Sequence, residues 1–224
     1  MTTVPIHYFS DLLCVWAYVA ELRVNAVKGA FGDQVRFEPS FCSVFGDSPR
    51  KIGAGWAAKG GFEGFNSHLR EVAARFPEIE IHPDLWLTVR PASSTSPHLF
   101  VKAVRIAEAE GACAAGAADQ VTSGLRDAFF RLARDIATRA VQDAVAEGIG
   151  IDRGAIQARI DDGSAFAALA GDYQDAEAMG IKGSPSFVLN DGRQKLYGNV
   201  GFRVLEANIQ ELLRTPSTDQ ASWC

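Results

Sequence analysis

Between Val4 and Phe41 the hydrophobic period of the chain switches from two residues to about 3.6 and back to two. Val4 to Phe9 is β-branched and aromatic and stops at Ser10-Asp11, which predicts a strand. Cys14 to Ala30 follows, with Ala17, Ala20, Leu22, Val24 and Val27 as its apolar positions. Gly29 and Gly32 mark its end, and the segment is predicted to be a helix. Gln34 to Phe41 alternates Val35 and Phe37 with polar residues and predicts a second strand. Two neighbouring strands joined through a helix run parallel, with a right-handed crossover. The chain is thereby committed to an α/β fold.

From Pro49 to Ala178 the pattern is helical. Helices are predicted over Phe62–Phe76 and from Ser96-Pro97 to Gly111, with Ser96 as N-cap and proline in the first turn. Others are predicted over Thr122–Ala137, Arg139–Glu147, Arg153–Asp161 and Ser164–Met179, with glycine breaks at Gly148-Ile149-Gly150 and Asp161-Asp162-Gly163. Strand signal returns at Pro185–Asn190, reverses at Asp191-Gly192 and continues over Gln194–Tyr197. Gly201–Leu213 closes as a helix, and Thr215–Cys224 is polar and expected to fray. The order is β-α-β, a helical block, then β-β-α. At 224 residues this suits one domain, residues 1–46 and 179–214, carrying a helical insertion at 47–178 and a flexible tail at 215–224.

Composition narrows the function classes. Hydrophobic residues are 47% and charged residues 22%, which excludes a disordered chain. A net charge of -5 argues against a nucleic-acid partner. No apolar run approaches the roughly 18 residues of a membrane span, so no membrane partner is expected. The N-terminus lacks a basic leader and carries Asp11 and Glu21, so it does not read as a signal peptide, and the cytoplasm is the expected compartment. Cys14, Cys42, Cys113 and Cys224 form no C-x-x-C pair and no metal-ligand spacing, so neither a structural disulfide nor a metal is expected.

Cys14 is the sharpest candidate for chemistry. It opens a helix directly after a strand and a short turn. Unpaired N–H groups and the helix dipole favour a thiolate there, so its pKa is expected below the ordinary value. The alternative is a buried, inert thiol. The second candidate is Gly183-Ser184-Pro185-Ser186-Phe187, where a proline opens a strand. A cis Ser184–Pro185 bond would turn the backbone of Ser184 toward an extended, peptide-like ligand. Asp11 is expected to cap the first helix, with acid–base work as the alternative. Trp16, Trp56 and Trp86 are expected as pocket wall or core. His98, near a helix start, either packs structurally or faces the cleft. Cys42, at the end of the second strand, approaches the active-site layer. Ser93-Ser94-Thr95 reads as loop and cap.

Taken together, Phe9-Ser10-Asp11-Leu12-Leu13-Cys14-Val15-Trp16-Ala17 and Gly180-Ile181-Lys182-Gly183-Ser184-Pro185-Ser186-Phe187-Val188 resemble the thioredoxin fold. The helical block between the β-α-β and β-β-α halves resembles its DsbA-like branch. That branch includes DsbA-type oxidoreductases, kappa-class glutathione transferases and 2-hydroxychromene-2-carboxylate isomerases. The resemblance implies catalysis at Cys14 and a glutathione cosubstrate or another thiol or disulfide substrate. It implies that Ser184 and Pro185 pair with the cysteinyl part of glutathione, and that Asn199 and Val200 meet its γ-glutamyl carboxylate, with Arg203 nearby. By its own spacing Asn199 also reads as a helix N-cap. The redox members carry C-x-x-C, whereas this chain has Cys14-Val15-Trp16-Ala17, so Cys14 has no local resolving partner. Thiol–disulfide exchange and glutathione-assisted isomerisation both remain open. So do a homodimer and, as the alternative to an enzyme, a non-catalytic binding module.

Overall fold

The computed structural model describes residues 3–214. β1 (Val4–Ser10), α1 (Val15–Phe31) and β2 (Val35–Phe41) form the opening unit, and β1 pairs with β2 in parallel with Val4 opposite Val35 and Ser10 opposite Phe41. β3 (Ser186–Leu189) adds to the other edge of β1 antiparallel, and β4 (Gln194–Tyr197) returns beside β3. The sheet order is therefore β2-β1-β3-β4, with α8 (Phe202–Leu213) closing the chain. This is the thioredoxin-like arrangement with its helical block inserted after β2. Val4, Ile6, Tyr8, Ala20, Val27, Phe187, Leu205 and Ile209 form the core between the sheet, α1 and α8.

The helical block holds α2 (Gly61–Ala73), α3 (Thr95–Ala109), α4 (Ala117–Phe130), α5 (Arg139–Gly148), α6 (Arg153–Asp161) and α7 (Ser164–Ala178). Short π and 3-10 turns at Pro49–Ala54 and Ala57–Lys59 precede α2 and carry no sequence signal long enough to expect. The core of this block includes Leu12, Leu13, Cys14, Val15 and Ala17, so the start of α1 packs into the insertion. Trp86 is fully buried there, stacked on Phe45 and edge-on to Phe129. Trp56 stands edge-on to Phe65, so both tryptophans belong to the aromatic core. Among the described residues no helix is long and apolar enough to cross a membrane.

Helix boundaries depart from the sequence reading in α2, which ends at Ala73 rather than Phe76, and in α3, α4 and α8. α4 begins and ends earlier than Thr122–Ala137. Its start is set by Gly116 in the left-handed region and by the Glu108 carboxylate of α3, which accepts from the N–H groups of Gly116 (2.7 Å) and Ala118 (2.9 Å). A carboxylate at a helix N-terminus satisfies orphan donors and meets the positive end of the dipole. Here it comes from another element, so the local window does not reveal it. The N-cap of α3 is Ser94, and the Ser96 hydroxyl instead donates to the Ala137 carbonyl at 2.9 Å. The N-cap of α8 is Gly201, and Asn199 is an exposed residue of the turn before it. The reversal between β3 and β4 takes three left-handed residues, Asn190, Asp191 and Gly192, a conformation suited to asparagine, aspartate and glycine. The tail at 215–224, and Cys224 with it, lies outside the described residues.

Candidate active site

The turn Asp11-Leu12-Leu13-Cys14 joins β1 to α1, closed by the Cys14 N–H on the Asp11 carbonyl at 3.1 Å. Cys14 is the N-cap of α1, with extended backbone. Its carbonyl accepts from Ala17 and Tyr18 while its thiol donates to the Ser184 carbonyl at 3.2 Å. The Ser184–Pro185 bond is cis. The Ser184 hydroxyl accepts the Asp11 N–H at 2.9 Å, so the two loops lock through both backbone and side chain. The Ser184 carbonyl, expected to face a ligand, is engaged by the Cys14 thiol. The helix-dipole expectation for Cys14 is also overturned. Burial, with 6% of the residue exposed, pushes its thiol above the ordinary value. Hydrogen bonds from Ser184 and from the backbone N–H groups of Ala17 and Trp16 pull it down, and the Asp11 carboxylate adds to the rise.

Cys42 donates to the Gly183 carbonyl at 3.8 Å, one residue from the acceptor of Cys14. It therefore reaches the active-site layer, and burial pushes its thiol up as well. Cys113 is a half-buried free thiol in the segment joining α3 to α4. A Cβ at Gly183 would come within 2.6 Å of the Tyr197 hydroxyl, so a side chain there would displace the exposed Tyr197 ring. The structure brings Cys14, Ser184 and Pro185 together. Asn199 and Val200 connect to them through Gly198, whose N–H donates to the Pro185 carbonyl at 2.9 Å. Trp16 is half-buried, edge-on to Phe76 of the insertion at 6.3 Å, and packs against the core of the helical block. Arg203 is exposed, and Ala17 is fully buried at the place of a resolving cysteine.

Asp11 does not cap α1. Fully buried, it accepts through one oxygen from the Leu13 N–H at 2.9 Å. Its other oxygen accepts from the N–H groups of Val44 (2.9 Å) and Phe45 (2.8 Å) and from the Ser94 hydroxyl (2.8 Å). One carboxylate thus holds the Cys14 turn, the chain leaving β2 and the start of α3. His98 is fully buried beside it. Its Nε2 accepts the Leu12 N–H at 3.1 Å, so Nδ1 carries the proton and donates to the Tyr173 hydroxyl at 3.1 Å, while the ring stacks on Phe41 at 4.2 Å. Asp172 of α7 accepts the Phe41 N–H at 2.9 Å and pairs with Lys102 of α3 at 2.8 Å. Sequence reasoning placed Ser94 in the loop and cap where it lies, but missed its bond to Asp11, this role of Asp11, and Asp172. The available signal was a polar residue on an otherwise apolar helix face, as for His98 among Phe100, Val101 and Val104.

Burial holds His98 at about 4, below its ordinary 6.5, against the opposing pull of Asp11. The fold therefore carries His98 neutral, while the unfolded chain protonates it below pH 6.5. Stability is full above that pH and falls as pH drops toward about 4, by at most about 3 kcal/mol. Chemical denaturation across this window checks it: His98→Gln is expected to flatten the acid limb, and an unchanged limb contradicts the assignment.

A family model for the DSBA-like thioredoxin domain matches residues 5–210. Cytosolic disulfide reductase DsbM from Pseudomonas aeruginosa, solved with glutathione, superposes with a TM-score of 0.68 at 22% identity, covering 94% of this chain and 100% of that one. A probable DsbA oxidoreductase from Streptomyces coelicolor gives 0.73 at 19% identity, covering 96% and 93%. A 2-hydroxychromene-2-carboxylate isomerase gives 0.66 at 17% identity, covering 93% and 95%. At these identities the likeness carries the fold. No curated protein matches this chain in sequence.

Proposed function

The chain belongs to the DSBA-like thioredoxin domain family, and from that premise we propose that it is a glutathione-dependent thiol–disulfide oxidoreductase with Cys14 as its single reacting sulfur. The carrying observation is the Cys14 thiol at the N-cap of α1, 3.2 Å from the Ser184 carbonyl, with Ala17 where a resolving thiol would stand. The Cys14 thiolate attacks the mixed disulfide of a substrate thiol with glutathione. The substrate thiolate leaves and takes up a proton, and Cys14 carries the glutathionyl group. A second glutathione thiolate then attacks the glutathione sulfur, releasing Cys14 and forming oxidised glutathione. The Ser184 backbone beside Pro185, its carbonyl released once Cys14 gives up the thiol proton, holds the cysteinyl part, and Asn199 and Val200, before the uncapped N-terminus of α8, receive the γ-glutamyl carboxylate. Trp16 walls the site. The cytoplasm, where glutathione maintains a reducing poise, is the compartment that suits this cycle.

The test is exchange measured with and without glutathione across pH. Because burial raises Cys14, the glutathione-dependent rate is expected to climb through pH 8 and still rise at pH 9, the ordinary thiol value. A plateau below pH 8, or equal rates without glutathione, contradicts the proposal. One observation favours a second reading, a glutathione-dependent isomerase. Burial favours the protonated Cys14, and its S–H, once turned away from the Ser184 carbonyl, is the form that can hydrogen-bond a bound glutathione sulfur.

A further inference from the structure

A cavity of about 240 Å³ lies where the β2 edge of the sheet, α1, α3 and α4 meet, and Cys14, Ser184 and Pro185 are not among the residues that border it. Part of its lining is apolar: Tyr8 of β1 and Phe37, Pro39 and Phe41 of β2, neighbours on one face of the parallel pair, with the Tyr8 and Phe37 rings edge-on to each other at 84°. The other side carries Arg126 and Arg105. Arg126 is 2% exposed. It spends one terminal nitrogen on Glu21 at 2.6 Å and the other on Ser10 at 3.1 Å, which leaves its Nε–H without a partner. The Tyr8 hydroxyl, in a residue 6% exposed, and the Arg105 Nε–H are likewise unpartnered. Among the described residues six buried side-chain polar atoms lack a hydrogen bond, and three of them belong to residues around this one cavity.

A buried donor left unpaired costs about 1–3 kcal/mol, so three of them at one cavity call for a common partner. Two are obligate donors and the third is a hydroxyl able to donate, so the partner is an acceptor. The carboxylates bordering the cavity are already engaged. Glu21 takes Arg126 and Ser123, Asp119 takes Lys28 and Arg105, and Glu108 takes the N–H groups of Gly116 and Ala118. Their charge is compensated, while the guanidinium Nε–H groups are not used. Apolar lining together with unspent donors suits an apolar body with an acidic head. The volume lies below the roughly 300–1,000 Å³ of drug-sized sites, so the body is small. We infer that this cavity is a second binding site, separate from the thiol, for a small carboxylic acid, its carboxylate on Arg126, Arg105 and Tyr8 and its apolar body against Phe37 and Pro39.

Calorimetric titration with benzoate, using benzyl alcohol as the uncharged control, tests this. Wild type is expected to bind benzoate and to bind benzyl alcohol at least about tenfold more weakly, as loss of a charge-assisted hydrogen bond implies. Tyr8→Phe removes a hydroxyl that has no partner in the fold. It is expected to leave the melting temperature unchanged or raised, yet to weaken benzoate about tenfold. Arg105→Gln, at a partly exposed position, is expected to weaken it similarly. Cys14→Ser, and saturating glutathione, are expected to leave benzoate binding unchanged, which separates this site from the thiol whatever the fate of the proposed reaction. Four outcomes overturn the inference: no benzoate binding at millimolar concentration, equal binding of the alcohol, binding unaltered in both variants, or displacement by glutathione.

Discussion

Cys14→Ser is expected to lower glutathione-dependent exchange by about a thousandfold or more, since removing the attacking sulfur removes the covalent step. Serine is smaller but can donate the same bond to the Ser184 carbonyl, so the melting temperature should change little. Cys42→Ser supplies the contrast. Cys42 is buried, its thiol is raised and it donates to Gly183, so its replacement is expected to leave the rate within about twofold. Rates of reduction of a small glutathione mixed disulfide, followed by the oxidised glutathione formed, check both. A Cys14→Ser protein that keeps more than about a tenth of the rate would assign the chemistry to another sulfur.

Asp11→Ala should produce the largest loss of stability. Its carboxylate satisfies three backbone N–H groups, two of them in buried bonds, and the buried Ser94 hydroxyl, all within 2.9 Å. Each such bond to a charged acceptor contributes about 1.5–3 kcal/mol, and each orphaned donor costs about as much. A loss of at least about 4 kcal/mol is therefore expected, a large part of the 5–15 kcal/mol that holds a typical domain together. Ser94→Ala, which removes one of the four donors, should cost about 1–2 kcal/mol. Urea unfolding of the two variants measures both values. An Asp11→Ala protein within about 1 kcal/mol of wild type would show that other groups hold the turn.

The difference between Asp11 as a local cap and Asp11 as a three-way tie shows where sequence reading stops. Elements whose signal lies within a few residues are legible: the alternation of Val35 and Phe37, the proline at the head of β3, the Asp191-Gly192 reversal. Each expresses backbone chemistry that acts locally. What Asp11 does depends on Val44, Phe45 and Ser94, 33 to 83 residues away, and nothing near Asp11 announces them. The Glu108 cap of α4 is missed for the same reason. Cys14 illustrates the other limit. Its place at a helix start is readable, and so is the dipole that favours a thiolate. The burial that opposes it comes from the insertion packing over Leu12, Leu13 and Val15, and in this structure burial outweighs the dipole. Tyr8 and Arg126 read as an ordinary strand tyrosine and a helix arginine, and only the packed fold leaves their polar atoms beside one cavity.

The central claim, one reacting sulfur working with glutathione, meets its most direct test in peptide mapping by mass spectrometry. The full-length protein is incubated with oxidised glutathione at pH 8 to 9, quenched in acid and digested without reductant. The account predicts one glutathionyl adduct, on the peptide carrying Cys14, removed by reduced glutathione with formation of oxidised glutathione. An internal disulfide between Cys14 and any other cysteine would contradict it, and so would an adduct confined to Cys42 or Cys113. A Cys14 that stays unmodified while glutathione still binds would replace the exchange mechanism with the isomerase reading.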